Sequence, residues 1–259
     1  MPGTRIAGRF AVTMPRRVEP EWLDMLPPDD PRAVRSRNDL RRVNRLMGTQ
    51  SVMAGALDAL MHGSKMHGSH PVHLVELGAG DGTWLLRLAR NRAAHWPKVR
   101  LALLDLHPVV HPDTLDGFRA LGWDARIIGV DVFDWLAQPD GDDAPVIVAN
   151  LFVHHFDGER LQWLLDGIAR RTRAFVCCEP RRSRLALTGS RLLGAIGCND
   201  VTRHDAVVSV RAGFNDHELS TLWPKNDTWT LHEHSAWPFS HGFRAVRADA
   251  VAQPTQASV

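Results

Sequence analysis

Three glycines close together, Gly78, Gly80 and Gly82, set the first limit on how this chain can fold. They end an apolar run, Pro71 to Leu77, and lead into a helical pattern from Trp84 to Arg92. A strand, a tight loop and a helix follow from that order. Glycine takes φ > 0 without a Cβ clash and lets a ligand come close to the backbone. The first turn of the helix offers unpaired N–H groups to a polar or anionic ligand. The loop is flanked by Glu76 and Asp81, not by lysine or arginine. A phosphate cradle would want the basic residues; a cationic or hydroxyl-rich ligand suits the acids.

The alternation continues. Strands are expected at 72–77, 99–105, 125–130, 145–150 and 173–178, with helices at 82–94, 111–121, 132–137 and 158–170 between them. Near-continuous apolar strands separated by helices imply a parallel sheet covered on both faces. After Glu179 the rhythm breaks. Residues 183–223 read as helices with no strand between them. Residues 228–236 and 242–246 read as two strands joined by Trp237-Pro238-Phe239-Ser240, a connection short enough for an antiparallel hairpin at a sheet edge. The fold class is α/β: a seven-stranded, mostly parallel sheet with a C-terminal antiparallel hairpin, N-terminal helices and a helical insertion after the fifth strand. Ligands on such sheets bind beyond the C-terminal strand ends.

Ahead of the sheet, residues 1–18 read as a loose basic tail, followed by a short helix near Glu19-Pro20-Glu21-Trp22-Leu23 and a turn at Pro27 to Pro31. From Arg32, Leu40, Val43 and Met47 fall at helical spacing. Arg35, Arg37, Arg41, Arg42 and Arg45 crowd the other positions and read as a solvated face, with an RNA-binding face as the alternative. Met53, Leu57 and Leu60 form a second helical stripe. His62, His67, His70 and His73 stand among Gly and Ser with no Cys or carboxylate beside them. They read as a linker, and no metal is expected. The organisation is then a tail and helical cap at 1–70, the sheet domain at 71–247 with a lid at 183–223 inside it, and a disordered tail at 248–259.

Composition narrows the classes. The 259 residues are 44% hydrophobic, and no run reaches the roughly 20 apolar residues of a membrane helix. Met1 to Thr13 lacks the apolar stretch of a signal peptide. A net charge of +2 is too small for a nucleic-acid footprint. Three cysteines, Cys177 and Cys178 adjacent, argue against a disulfide framework and fit a reducing cytoplasm.

Polar residues close the strands. Asp105 ends the second, where a carboxylate can accept both hydroxyls of a ribose; Asp131 follows the third, placed to take an exocyclic amine or to cap the 132–137 helix. Asn150 ends the fourth and Glu179 the fifth. With the Gly78-Ala79-Gly80-Asp81-Gly82 loop, the preceding Glu76 and the terminal hairpin, this set resembles the class I S-adenosylmethionine-dependent methyltransferases over roughly residues 70–247. A dinucleotide fingerprint would want glycine where Thr83 stands. The resemblance implies a Rossmann-like fold with S-adenosylmethionine as cofactor and S-adenosylhomocysteine as product. It also implies site roles. Glu76, Gly78, Gly80, Asp81 and Gly82 would pass around the methionine part, Asp105 with Leu106 would hold the ribose, and Asp131 with Val132 would read the adenine. Asn150 and Leu151 would lie near the sulfonium methyl.

The acceptor is less legible. Methyltransferases of DNA adenine or protein glutamine carry Asn/Asp-Pro-Pro-Tyr/Phe after the fourth strand, and this chain has Asn150-Leu151-Phe152-Val153. The Leu151 to His155 run resembles small-molecule enzymes, including those that methylate oxygen or carbon of quinones and polyphenols. That implies O-methylation of a phenolic or hydroxylated polyketide- or quinone-like acceptor, in the manner of secondary metabolism. Methylation of carbon or nitrogen, and a non-catalytic RNA- or partner-binding member of the fold, are the alternatives. A hydroxyl acceptor must lose a proton, and histidine suits that work near neutral pH. The candidates are His154, His155 and His204, the last with Asp205 to orient it. Glu179, Arg181 and Arg182 stand where an anionic acceptor could be held. Leu185, Leu192, Ile196 and Phe214 belong to an insertion apolar enough to line a pocket. The partner expected is a small molecule, with no membrane span and no nucleic acid; a homodimer is left open.

Overall fold

The computed structural model describes residues 14–62, 71–139 and 144–248. His67 and His70, the first thirteen residues and the tail from Asp249 lie outside them. The sheet comprises β1 (Val72–Leu77), β2 (Val99–Asp105), β3 (Asp124–Gly129), β4 (Val146–Asn150), β5 (Ala174–Pro180), β6 (Trp229–Ala236) and β7 (Ser240–Arg247), in the order β3-β2-β1-β4-β5-β7-β6. The first five pair in parallel, and β7 runs antiparallel between β5 and β6. The helical connections are α4 (Thr83–Arg92), α5 (Pro112–Ala120), α6 (Val132–Ala137) and α7 (Gly158–Arg171).

Both sheet faces are apolar because both are covered. Leu74, Leu101, Leu103, Val148 and Val176 pack with Met53 and Leu57 of α3 (Thr49–Met61) and with Leu85 of α4. Val75, Leu77, Leu104, Ile147 and Phe175 pack with Trp135 of α6 and with Leu164, Leu165 and Ile168 of α7. Each such side chain, fully buried, contributes about 1.5–3 kcal/mol. β1 lies between β2 and β4, so the crossover direction reverses there and the strand ends open into a crevice. The register aligns those ends: Leu77 stands opposite Leu104 and Ala149, and Asn150 opposite Cys178.

Four further helices pack together beside that end. α1 (Trp22–Met25) and α2 (Pro31–Met47) pack on α9 (Asp200–Ala212), which also meets α8 (Arg184–Arg191). α2 starts at Asp30, whose side chain accepts from the Arg32 N–H, with Pro31 in the first turn, and it ends at Gly48 with φ 66°. Its buried residues are Ala33, Ser36, Asp39 and Val43; of the stripe read from the sequence Val43 is buried, Leu40 and Met47 are half-buried, and the polar members are buried because α9 offers them partners. Ser36 and Thr202 hydroxyls lie 2.9 Å apart, and Asp39 accepts the Asn199 N–H at 2.8 Å.

Two readings are corrected. Residues 14–18 are fastened, not loose: Arg16 donates to the carbonyls of Ala212 (2.7 Å), His154 (3.2 Å) and Phe156 (2.8 Å). Leu185, Leu192 and Ile196 are exposed, at 54, 62 and 46%, and are not among the residues lining the two cavities described below. Among the described residues no helix is long and apolar enough to cross a membrane.

α9 meets the end of β5 without room to spare. Phe214 donates its N–H to the Pro180 carbonyl at 2.9 Å, and a Cβ at Gly213 would stand 2.1 Å from that oxygen. Backbone cannot step aside as a flexible side chain can. Gly213→Ala is expected to cost about 3 kcal/mol, the upper part of the overpacking range; denaturant melts that show under about 1 kcal/mol would contradict this packing.

Candidate active site

The glycine loop is shaped by its own acids. Gly78, Gly80 and Gly82 all have positive φ, at 66, 55 and 68°. Asp105 accepts the Gly80 N–H at 2.8 Å through one oxygen and the His107 N–H at 2.8 Å through the other. Asp81 accepts from the Thr83 N–H (2.9 Å) and hydroxyl (2.6 Å), starting α4, and faces the Arg41 guanidinium of α2 at 3.6 Å. A Cβ on Gly78 would stand 2.4 Å from the Phe152 ring, whereas one on Gly80 would meet nothing within 4 Å. The loop is therefore closed on one side by Phe152 and open at its tip. A cavity of about 240 Å³ lies at that tip, lined among others by Arg37, Arg41, Asp81, Thr83 and Thr114. A second cavity, about 340 Å³ beside Trp123 and Asp124, sits at the far end of β3, away from these residues.

Two buried polar atoms at the strand ends have no hydrogen-bond partner among the described residues: Glu76 Oε2 and Asn150 Oδ1. Leaving such atoms unpaired costs about 1–3 kcal/mol each. Burial, followed by the charges of Asp81 and Asp105, pushes the Glu76 carboxyl well above the usual range. That direction favours the neutral form, which can donate. Leu151, next to Asn150, has φ 56°, a strained value for a side chain branched at Cγ. Its N–H is tied to the Cys178 carbonyl at 2.9 Å.

The turn after β4 is held by Glu179, which is fully buried. It accepts the backbone N–H groups of Phe152 (3.2 Å), Val153 (2.9 Å) and His154 (3.3 Å), and His154 Nδ1–H at 2.7 Å. The other ring nitrogen, Nε2, lies 3.4 Å from Glu21. Glu21 also accepts the Ser209 hydroxyl of α9. Burial alone would lower the His154 pKa, but hydrogen bonds and charge from Glu179 and Glu21 outweigh it and raise it to about 9. Glu21, which burial would raise, is instead brought to about 2, chiefly by its hydrogen bond with His154 and the charge of His155. His154 is thus an imidazolium between two carboxylates and has no free lone pair for a proton. His155 is partly exposed and lies 3.4 Å from Asp24.

The remaining sequence candidates separate into those at the crevice and those spent elsewhere. Leu106, beside Asp105, is 56% exposed. Asp131 caps α6 by accepting the Phe133 N–H at 2.7 Å, and Val132 is buried under that helix. Arg182 is enclosed by Glu218 and the carbonyls of Gly213 and Met14, so it cannot also hold an acceptor. Arg181 keeps a buried Nε with no hydrogen-bond partner. Phe214 is fully buried, with the Arg16 guanidinium 4.4 Å above its ring, and lines no open space. Asp205 accepts the Trp22 and Leu23 N–H groups at 2.8 and 3.0 Å, so it starts α1 as well as meeting His204 at 2.9 Å. His204 stacks on Trp22 with ring centroids 3.8 Å apart. Glu21, Asp24 and Asn44 were not read as site residues from sequence, and Arg41 was read only as part of the arginine face. Glu21 and His154 are 133 positions apart, and no local pattern pairs them. Asn44 reaches the site from α2, its Oδ1 3.4 Å from Asn150 Nδ2.

No family model and no curated protein matches this chain. Among solved structures, the plantazolicin methyltransferase BamL, in complex with a triazolic desmethylPZN analog and SAH, shares 10% identity over 82% of this chain and 90% of its own, with a TM-score of 0.56. The plantazolicin methyltransferase BpumL in complex with SAH shares 12% over 85% and 91%, TM-score 0.56; its complex with a monoazolic analog gives 11% over 84% and 91%, TM-score 0.57. The fold, with its mixed seven-stranded sheet, is thus the Rossmann-like methyltransferase fold.

The raised Glu76 carboxyl carries a pH signature. Below its ordinary value of 4.5, Glu76 is protonated in folded and unfolded chains alike and contributes no pH dependence. As pH rises above that value, only the unfolded chain ionises, so the native state loses ground. Glu76→Gln should therefore melt higher than wild type near neutral pH, and the gap should close below pH 4.5. Thermal melts of the ligand-free protein across that range check the sign; a lower melting point for the variant near neutrality would refute it.

Proposed function

We propose that this protein is an S-adenosylmethionine-dependent methyltransferase that methylates an oxygen of a small phenolic or hydroxylated polyketide- or quinone-like acceptor. The observation that carries the reading is the pair of unpartnered atoms, Glu76 Oε2 and Asn150 Oδ1, on the strands that flank the open glycine loop. Both can meet the polar groups of an amino-acid-bearing nucleoside, and the acids of the loop suit its cationic centres. The fold neighbours named above, solved with SAH, support the same ligand class.

When bound, S-adenosylmethionine supplies a methyl group already activated on a sulfonium. The chain's share is position and proton handling. Gly78 and Gly80 keep the backbone low beneath the ligand, Asp105 stands where ribose hydroxyls would lie, and Arg41 with Asn44 closes the crevice from α2. Asp131 remains proposed at the adenine end through its second oxygen, the first being spent on α6. Positioning of this kind contributes up to about 7–11 kcal/mol in favourable cases. Of the histidines proposed as base, His154 is already protonated and His204 is stacked away on Trp22. His155, with Asp24 to orient it, is left to take the acceptor proton. Arg181 is proposed to meet an anionic group of the acceptor. The RNA-binding alternative finds less support, since Arg35, Arg37, Arg41 and Arg42 are all engaged within the chain.

Calorimetry with S-adenosylmethionine tests the donor half: wild type should bind, and Asp105→Ala should bind about 10–100-fold more weakly, the worth of a charged hydrogen bond. No binding by the wild type ends the reading. With a turning-over acceptor, His155→Ala should lose about 10²–10⁴-fold in kcat while donor affinity stays unchanged. Fragment mass spectrometry of the product identifies the methylated atom.

A further inference from the structure

One cluster at the acceptor end has a capacity that the methyl-transfer reading does not use. Glu21, His154 and His155 each turn one ligand atom toward the others, all within 4.8 Å. His154 Nε2 and Glu21 Oε1 are 3.4 Å apart, and His155 Nδ1 is 3.4 Å from Asp24 Oδ2. Two ligands about 2.0–2.1 Å from one zinc ion at the tetrahedral angle are about 3.3–3.4 Å from each other. Two imidazoles and one or two carboxylates are the donor set of divalent first-row metals.

The surroundings match such a site. Glu179 accepts His154 Nδ1–H at 2.7 Å, which fixes the ring and turns Nε2 toward Glu21. A carboxylate on the far nitrogen of a ligating histidine is the usual orienting partner at metal centres. Ser209 donates to Glu21, fixing that carboxylate from α9. Trp22 and Leu23, between Glu21 and Asp24, are pinned by Asp205, so the two acids reach the site from a held segment.

We propose that Glu21, His154 and His155 bind one divalent first-row cation of the zinc class, with Asp24 beside His155. The ion replaces the proton that His154 shares with Glu21 and ties the N-terminal segment to the turn after β4. It also withdraws His155 from proton transfer, so loading lowers turnover where His155 acts as base. The binding claim itself stands independently of the methyltransferase reading.

The test is titration of the whole, metal-stripped chain with Co²⁺, followed by visible absorption and by calorimetry with Zn²⁺. One equivalent with a visible ligand-field band is expected. His155→Ala, at a partly exposed position that tolerates truncation, should abolish the band. Glu179→Gln should weaken binding about 10–100-fold. His67→Ala/His70→Ala, in the histidine-bearing segment that precedes β1 in the sequence, should keep the full equivalent. The proposal is overturned if wild type shows no band, if His155→Ala keeps it, or if the His67/His70 variant loses it. Circular dichroism of each variant verifies folding, and Glu21→Gln provides a second ligand deletion in case Glu179→Gln does not fold.

Discussion

Glu179, one residue before the end of β5, has no surface exposed, and its two oxygens take four hydrogen bonds from the turn after β4. A buried carboxylate is costly unless every lone pair is used, and removing one partner of a buried ion pair costs about 3–5 kcal/mol. The turn supplies three backbone N–H groups, and His154 supplies the counter-charge. His154 then needs a second acceptor, which Glu21 brings from the N-terminal segment. Glu21 in turn is met by Ser209 of α9. One buried charge thus recruits the strand end, the turn, the N-terminal segment and the insertion.

This chain of partners explains what the sequence does and does not disclose. Four of the parallel strands are legible to within about a residue or two because each is an apolar run buried on both faces; β3, at the sheet edge, is largely exposed and is legible from its place in the alternation. The glycine loop is legible because positive φ leaves a mark in residue type, and Asp105 because its position follows from strand length. Strand order is not legible: nothing in β7 announces that it enters between β5 and β6. Polar pairs at long range are equally silent. Ser36 and Asp39 look like solvated positions until Thr202 and Asn199 are set against them. Arg182 looks free to bind a ligand until Glu218 is beside it.

The same logic separates the histidines. A sequence shows His154 and His155 as equals. In the fold, the 3₁₀ turn at Val153–His155 points one inward, between two acids, and leaves the other at the rim. The inward ring loses its role as a base and gains one as a strut. His204 is diverted by a different force: its flat contact with Trp22 and its bond to Asp205 serve to dock α1.

Leu151 shows how far this network reaches into the crevice. A positive φ at such a residue costs about 1–3 kcal/mol and persists only where neighbours over-determine it. Here the Leu151 N–H is held by Cys178, and the next three N–H groups by Glu179. Hydrogen bonds to a charged acceptor are worth about 1.5–3 kcal/mol each, enough to offset the strain. The kink then turns the chain so that Asn150 stays at the strand end while Phe152 folds back over Gly78. The wall beside the glycine loop and the turn after β4 are therefore set by one carboxylate, and neither can shift without disturbing the other.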